Sequence, residues 1–576
     1  MHLLKFFLAG FLATVAPAKE SKICQHIILH DGALKLNGNE RVLVCGSNRG
    51  GEGWVDVPLP QAQLHLTAIL RSLGYLKPRF ERQGDELDVW QGERTRIQSL
   101  HVKDETGLLD PTRVRKILDR PLEPDRLNHV ETWANQYSRS RGHACPVIVV
   151  EAHGWDGSIN VDAKLGERQR IVSLDPGDLD GLNPAVLDRY QTFSMGDEYD
   201  VRKTGIMTNR LLASGIFQSA YITNTCAATE TRLKLETSAG KPRILRLGIG
   251  GSTEELPFLD LTFKNTRLDE MASSFTALLH ASPRRFTVGA QSELYWFPGW
   301  NRTFFGPRTD YTREIESSFE SATAKVGGDG GINFDKGSTR FTARAGPTLN
   351  STRTYRGLGP AVSSYPSIDA SVALMSHVYE WGLRDQYQGW NANFQYHSQS
   401  RGLGSQINVS RYDLDIKHLW NIGAYWPPIF VLGSRIQTIL VDAPNLTANA
   451  NDQLLPTKER IYAGGDDNLR GFGRNEISNG DVGYLTFAYL GFELRLIEEL
   501  PWHLQPFLLA DAGQLSPVRY TLDPPIYVSQ GFGLRWPSPL GTLRASAASG
   551  RVWRGTPKTD MIPQRWVYFF SFGQEF

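Results

Sequence analysis

The chain has 576 residues, a formal net charge of +1 and a mean hydropathy of −0.33. The length leaves room for several domains, and the near-neutral balance excludes the global basic field of a nucleic-acid binder. After the N-terminus no run of about 18 apolar residues occurs, which excludes helical membrane spans but not a β-barrel, whose lumen-facing residues keep the average polar.

The N-terminus, "MHLLKFFLAGFLATVAPAKE", sets Lys5 before an apolar stretch from Phe6 to Val15 and continues into the A-x-A pattern Ala16-Pro17-Ala18. This is the pattern of a secretory signal peptide over residues 1–18, with Lys19 as the expected mature start. The apolar stretch is too short to span a membrane. Export brings the four cysteines into an oxidising compartment. Cys24 and Cys45 lie close together within one small predicted domain, so a disulfide between them is expected. Cys145 and Cys226 fall in different repeats, and their pairing stays open.

An internal repeat follows, with "GERTRIQSL" beginning at Gly92 and "GERQRIVSL" at Gly166. The second unit, residues 93–165, reads as a strand at Arg96–Val102, a helix at Pro111–Leu118 and a helix from Asp125 to Arg141 closed by Gly142. The strands "CPVIVVEA" and "GSINVDA" complete it. The third unit, residues 166–240, repeats the order: a strand at Arg170–Leu174, helices at Pro184–Tyr190 and Tyr199–Ser214, Gly215, then "FQSAYIT" and "TRLKLET". In residues 19–92, "LPQAQLHLTAILRSLGY" supplies the second helix, stopped at Gly74, and "KPRFERQ" and "ELDVWQG" the last strands. Cys24 to Val57 reads as strands and a glycine-rich loop, which makes the first repeat degenerate. The glycines suit the position just past a helix, where a residue tolerant of positive φ ends it cheaply. The result is three α+β modules of order β-α-α-β-β, small enough to leave strand edges open to an incoming extended segment.

From about Lys241 the helical period gives way to alternation. In "RRFTVGAQSELYWF", Phe286, Val288, Ala290, Leu294 and Trp296 share one face, and Arg285, Thr287, Gly289, Gln291 and Glu293 the other. In "YLTFAYLGFELRL", Ala488, Leu490, Phe492, Leu494 and Leu496 oppose Glu493 and Arg495. Aromatics cluster around turns, as in "YWFPGWNRTFF" and "WNIGAYWPP", which suits interfacial girdles. At the end, Trp566, Tyr568, Phe570, Phe572 and Phe576 alternate over about eleven residues, enough for one tilted spanning strand. Residues 241–576 therefore predict a transmembrane antiparallel β-barrel, of about 16 strands at about 21 residues per strand and loop.

The stretch "GGDDNLRGFGR", Gly464 to Arg474, sets Arg470 among glycines, two aspartates and Phe472. It is not a phosphate cradle: no Lys-Ser or Lys-Thr pair follows at P-loop spacing, and the next stretch alternates like a strand. Asp466 and Asp467 have no third ligand at metal-site spacing and read as solvated loop residues. Neither H-E-x-x-H, G-x-S-x-G nor a zinc-type cysteine cluster occurs, so no enzyme, cofactor or metal is expected. On the residues alone, Arg470 and the inward-parity carboxylates Glu493 and Asp511 read as three unrelated solvated charges.

The repeats, "LRGFG" (Leu469 to Gly473), "FLLADAG" followed by "GFGLRWPSPLGTLRASAA", and the terminal "FFSFGQEF" together resemble the BamA/TamA superfamily of outer-membrane β-barrel assembly and translocation proteins. The resemblance covers most of the mature chain, and the repeats look like POTRA domains. Three repeats and one barrel are most similar to the TamA group, the outer-membrane subunit of the translocation and assembly module; BamA-like members carry five repeats and two-partner secretion transporters usually two. The resemblance implies a barrel in the outer membrane of a Gram-negative bacterium, with the POTRA repeats in the periplasm. It implies a factor that inserts or translocates β-barrel and autotransporter proteins without covalent chemistry. The partners implied are an AsmA-like, TamB-type protein anchored in the inner membrane, unfolded outer-membrane protein or autotransporter substrates, and outer-membrane lipid.

The resemblance also implies that the loop Ala443–Gly480 folds into the lumen, where Arg470 bridges Glu493 and Asp511. Leu469, Gly471 and Phe472 complete the motif, with Gly471 permitting close backbone approach and Phe472 wedged on the inner wall. The first barrel strand, with Leu245, Leu247, Gly248, Gly250 and Gly251, is expected to close against the last, with Phe570, Phe572 and Gly573, in a seam that glycine weakens. Tyr568, Phe570, Phe572 and Phe576 form the implied C-terminal recognition signal. A two-partner secretion pore and a lipid-transport subunit are the alternatives.

Overall fold

The structure is a computed structural model that describes residues 21–47, 57–103, 108–109, 111–255, 257–376, 387–423, 429–444, 455–497, 500–522, 524–538, 541–555 and 564–572. The expected signal peptide, Lys19, Gly573 and Phe576 lie outside the described residues. The chain divides into two compact units, Met1–Arg168 and Gln169–Phe576.

The first unit holds two α+β repeats. In the first, β1 (Ser21–Cys24), β2 (Ile27–Leu29), β3 (Arg79–Gln83) and β4 (Glu86–Trp90) form a sheet of order β1-β2-β4-β3. Two helices, α1 (Gly38–Cys45) and α2 (Leu59–Ser72), pack on it. The spacing of Ala62, Leu66 and Leu70 puts all three on one face of α2, against Ile27, Leu29, Leu87 and Val89. The repeat is complete rather than degenerate, because α1 occupies a stretch expected to be loop. A capping box begins it: Asn37 accepts from the Glu40 N–H and Glu40 from the Asn37 N–H. Asn-x-x-Glu before an apolar run was the local signal for this helix, and the nearby glycines obscured it.

A disulfide joins Cys24 and Cys45, with Cα atoms 5.6 Å apart, and none of the four cysteines is free. It closes a loop with a sequence separation of 21. Replacing both by alanine is expected to cost the first repeat ~2–4 kcal/mol, because the unfolded segment regains the freedom the loop removed. Hydrogen exchange on the full chain should then quicken in α1 and β2 and stay unchanged in the second repeat.

That second repeat has β5 (Ser99–Lys103), β6 (Val147–His153) and β7 (Ser158–Lys164) in the order β5-β7-β6, with helices α3 (Pro111–Ile117) and α4 (Pro124–Arg139). Val130 and Ala134 of α4 share its buried face with Ile117, Ile148, Ile159 and Val161.

In the third repeat, β8 (Arg170–Asp175) runs parallel to β10 (Glu230–Ala239), which pairs antiparallel with β9 (Phe217–Ala227). Helix α5 (Val201–Ser214) ends at Gly215, whose φ of +78° is the left-handed conformation glycine adopts without strain. The helix expected at Pro184–Tyr190 is instead a 3-10 segment, Pro184–Arg189, begun by Asn183, whose side chain accepts from the Ala185 N–H. Six residues suit the tighter 3-10 form, which is used in short pieces.

Sixteen antiparallel strands then close into a barrel in sequence order. The first eight are β11 (Arg243–Ser252), β12 (Phe258–Asn265), β13 (Ser274–Ala281), β14 (Arg285–Glu293), β15 (Thr303–Ile315), β16 (Glu320–Lys336), β17 (Thr339–Arg356) and β18 (Val362–Ser376). The rest are β19 (Gly389–Gln399), β20 (Val409–Ile422), β21 (Phe430–Asp442), β22 (Thr486–Leu496), β23 (Gln505–Ser516), β24 (Ile526–Ser538), β25 (Gly541–Arg554) and β26 (Trp566–Phe572). The register carries one apolar face outward: Leu247, Leu261, Leu279, Val288 and Tyr311 are successive cross-strand partners. Leu494, Leu508, Phe532, Ala547 and Tyr568 continue it on the other side of the ring. No helix among the described residues is long and apolar enough to cross a membrane.

The third repeat docks on the turns that follow β12, β14 and β16, at the end of the barrel away from the β21–β22 connection. Arg210 of α5 is fully buried, pairs with Asp335 at 2.9 Å and donates to the Ser338 carbonyl at 2.9 Å, while Arg340 reaches the same carboxylate at 3.0 Å. Arg189 lies over the Tyr295 ring at 3.8 Å and donates to the Met271 carbonyl. Asn301 donates to Asp188 and to the Ala185 carbonyl. Lys264 donates to the Ser214 carbonyl at 2.9 Å, a cation at the negative end of the α5 dipole.

Candidate functional site

Between β21 and β22 the chain runs through residues 443–485, of which 445–454 lie outside the described residues. The remainder folds back on itself. Bridges pair Ile461 with Tyr484 and Ala463 with Ile477, and the Gly465 N–H donates to the Phe472 carbonyl at 3.1 Å. Leu455, Ile461, Leu469, Phe472 and Ile477 pack with Val441, Phe487, Leu515 and Tyr527 of the barrel wall in one apolar cluster. Removing that surface from water is what keeps the loop inside the lumen.

At the tip, the Phe472 N–H donates to the Leu469 carbonyl at 3.0 Å, and Leu469 takes a φ of +45°. This tight turn throws the Arg470 side chain at the wall, where it is fully buried. Its Nε and Nη2 donate to the two oxygens of Asp511 at 3.0 and 2.7 Å, a bidentate fork, and Nη1 donates to Glu493 at 2.7 Å. The Arg470 N–H adds a bond to Asp511 at 2.9 Å, and Nη2 one to the Phe492 carbonyl at 3.2 Å. The arrangement matches the bridge that the resemblance implied. Planar two-pronged pairing of this kind is what arginine supplies and lysine does not.

Phe472 meets Tyr527 edge-on at 5.7 Å, and its ring lies where a Cβ on Gly550 would come within 2.6 Å. A Cβ on Gly471 would come within 2.3 Å of the Gly550 backbone nitrogen, so both glycines are needed for the approach. Gly513 gives room to Leu469 in the same way.

The wall contributes more than the two carboxylates. Arg495 donates to Glu493 at 2.7 Å and Arg544 at 2.8 Å, while Tyr489 and Ser529 donate to Asp511 at 3.0 and 3.1 Å. Three arginines thus share two carboxylates, and Asp466, 3.4 Å from Arg544, supplies a third negative charge. Asp466 is therefore not a solvated loop residue; its side chain is only 12% exposed, because the tip turn carries it against the wall. Asp467, at 89%, is solvated. Arg544 had a readable signal in the sequence: it is a charge between Leu543 and Ala545, with the inward parity of Glu493. No group of three or more His, Cys, Asp and Glu suited to a metal ion occurs among the described residues.

A second anchor lies on β16 to β18. Lys458 donates to Thr352 at 2.8 Å and Thr323 at 3.0 Å, and Thr457 exchanges hydrogen bonds with the Leu358 backbone. The loop thus crosses the lumen between two attachments. Beside it remains a polar cavity of about 870 Å³, lined by Arg308, Arg344, Asp369, His397, Arg411 and Lys458 among others.

Where the ring closes, β11 and β26 share two residue pairs among the described residues, Gly251 with Phe572 and Ser252 with Ser571. Every other pair of neighbouring barrel strands shares at least seven. The Thr253 N–H adds a bond to the Phe570 carbonyl at 2.9 Å. Of the residues expected in the seam, Gly251, Phe570 and Phe572 are there. Leu245, Leu247, Gly248 and Gly250 pair with β12, and none of them pairs with a described residue of β26. The stagger of the closed ring is the reason: in this register each earlier residue of β11 would need a partner beyond Phe572, outside the described residues. Tyr568 and Phe570 of the expected terminal signal pair with Ala547 and Ala545 of β25 and carry exposed side chains.

Residues 349–576 match the Omp85 superfamily domain. Among solved structures, the chain is similar to BamA from Haemophilus ducreyi lacking POTRA domains 1–3, at 14% identity and a TM-score of 0.49, covering 83% of this chain and 99% of that one. It is also similar to CdiB from Acinetobacter baumannii, at 14% identity and a TM-score of 0.45 over 83% of this chain and 89% of that one. A third similar structure is CdiB from Escherichia coli, at 14% identity and a TM-score of 0.45 over 88% and 95%. The matched domain contains the whole lumen loop, Arg470 and both of its carboxylates. The family match thus falls on residues 349–576, the part of the chain that holds the loop and the wall it binds.

Proposed function

We propose that the protein is an outer-membrane assembly and translocation factor of a Gram-negative bacterium, nearest in role to TamA, the outer-membrane subunit of the translocation and assembly module. The repeats stand in the periplasm, where their strand edges receive unfolded β-barrel and autotransporter segments and an AsmA-like, TamB-type partner. The barrel seam delivers those segments into lipid. The observation that supports this reading is the closure of the barrel by its first and last strands, with Gly251 facing Phe572, Ser252 facing Ser571 and the Thr253 N–H donating to the Phe570 carbonyl. Parting it exposes strand edges whose unpaired backbone groups are costly in hydrocarbon until an incoming strand caps them. No covalent step and no nucleotide are needed, since strand pairing and burial of the substrate supply the free energy. The loop held across the lumen at two anchors supports a lateral route over passage of an exoprotein through the pore.

Ser252 and Ser571 are directly paired and buried, so Ser252→Cys with Ser571→Cys places two thiols across the seam at a separation that suits a disulfide. The oxidised double variant, reconstituted in bilayers with an unfolded outer-membrane barrel as substrate, is expected to insert it at least about tenfold more slowly than either single variant. Full insertion by the locked barrel would rule the lateral route out, and export of an exoprotein by it would favour the secretion pore.

A further inference from the structure

The lumen loop touches more than the wall that holds Arg470. Glu254 stands just past the end of β11, next to Thr253, which bonds Phe570 across the seam. One Glu254 oxygen accepts from the Asp466 N–H of the loop tip at 2.8 Å, and the other accepts from Arg474 at 3.1 Å. The rest of the Arg474 guanidinium forks onto Glu316, in the turn after β15, with Nε at 3.1 Å and Nη2 at 2.6 Å. Asn475 donates to the same Glu316 at 3.0 Å. On the other side of the seam Arg565, the residue before β26, donates to Glu476 of the loop at 3.0 Å. Residues 466–476 are therefore bonded to residues that flank both strands meeting at the seam.

We propose that Arg474 and Glu254 form a latch that makes opening of the seam conditional on release of the lumen loop. The proposal rests on the reading above that the seam opens, and adds what controls it. The geometry sets the direction of the coupling. Arg470 ties the loop to β22 and β23, Gly471 lies on β25 and Lys458 reaches β16 and β17, so the docked loop stays with the rest of the wall when β11 alone moves. If β11 swings away, Glu254 must leave both Arg474 and the Asp466 N–H, which strands a carboxylate that is largely buried. The Arg565–Glu476 pair is more than half exposed at the arginine and holds little. The grip on the first strand is the stronger of the two. Coupling of this kind is reciprocal, so a loop that leaves the lumen loosens the seam.

Hydrogen exchange on the full-length protein in bilayers, without substrate, tests this. Glu254→Gln and Arg474→Gln are expected to quicken exchange at residues 251–253 and 570–572 about tenfold, while the Arg470 turn at 469–472 stays protected. Arg519→Ala removes an exposed pair with Asp442 near the same rim and is expected to change nothing at the seam. Should a glutamine variant not fold, judged by heat-modifiable migration, Arg474→Lys keeps the charge but cannot serve two carboxylates at once, and a smaller acceleration is expected. Unchanged seam exchange in the variants that fold, or an equal acceleration in Arg519→Ala, overturns the latch. Exchange is read without substrate, so this outcome is separate from the cross-link experiment. A locked seam that still assembles protein would refute the function while leaving the latch measurable.

Discussion

Arg470→Ala is expected to free the lumen loop and to abolish function while the repeats remain folded. The guanidinium is fully buried and holds both Glu493 and Asp511. Removing one partner of such a group costs about 3–5 kcal/mol, whereas an exposed pair is worth about 0–1. Alanine leaves the carboxylates with Arg495, Arg544, Tyr489 and Ser529, which lessens the loss at Glu493 more than at Asp511, whose other side-chain donors among the described residues are the neutral hydroxyls of Tyr489 and Ser529. Arg470→Lys should rescue poorly, because one ammonium cannot make the fork to Asp511 and also reach Glu493. Protease access between residues 455 and 480 is expected to rise. Arg470→Ala, Glu493→Ala, Asp511→Ala and their doubles should show losses well below additive, the mark of a single network. Additive small losses with unchanged protease access would mean that the arginine does not hold the loop.

Asp335→Ala is expected to be the next most damaging change, and to act at the other end of the barrel. It removes the carboxylate that balances the fully buried Arg210 charge and leaves the neutral Ser338 carbonyl as an acceptor. Arg210→Ala should cost less, since Asp335 keeps Arg340 at 3.0 Å. Arg340→Ala, at a partly exposed position, should cost least. The order Asp335, Arg210, Arg340 is the testable content, at about 3–5 kcal/mol for the first. Spin labels on α5 and on the β16–β17 turn should report a single narrow distance in the wild type and a broad distribution in Asp335→Ala. A narrow distribution in that variant would show that the apolar and backbone contacts at Met271, Tyr295 and Ser214 position the repeat without the ion pair.

The sequence by itself determined whatever rests on local periodicity. Alternation assigned the inward face to Glu493 and Asp511 and the outward face to Leu490, Phe492 and Leu508, because neighbouring side chains of a strand point to opposite sides. Gly74, Gly142 and Gly215 marked helix ends through a requirement on φ, and all three have positive φ in the structure. Helix α1 was also written locally, in the capping box of Asn37 and Glu40, though glycine-rich surroundings argued for loop. The pairing of Arg470 was legible only through the family resemblance, since residues alone cannot say that a loop enters a lumen. Tertiary structure alone decided the rest. Asp466 is buried, and Glu254 meets Arg474, only because the loop tip lands where it does, more than 200 residues along the chain from the first strand. The site of the seam depends on the stagger between the first and last strands, which is set once the whole ring has closed and has no signature within either strand. Arg210 and Asp335 lie on different modules, and their ion pair exists because the third repeat meets the barrel turns. Local signals describe which way a side chain points, and a closed ring with a docked loop decides what it finds there.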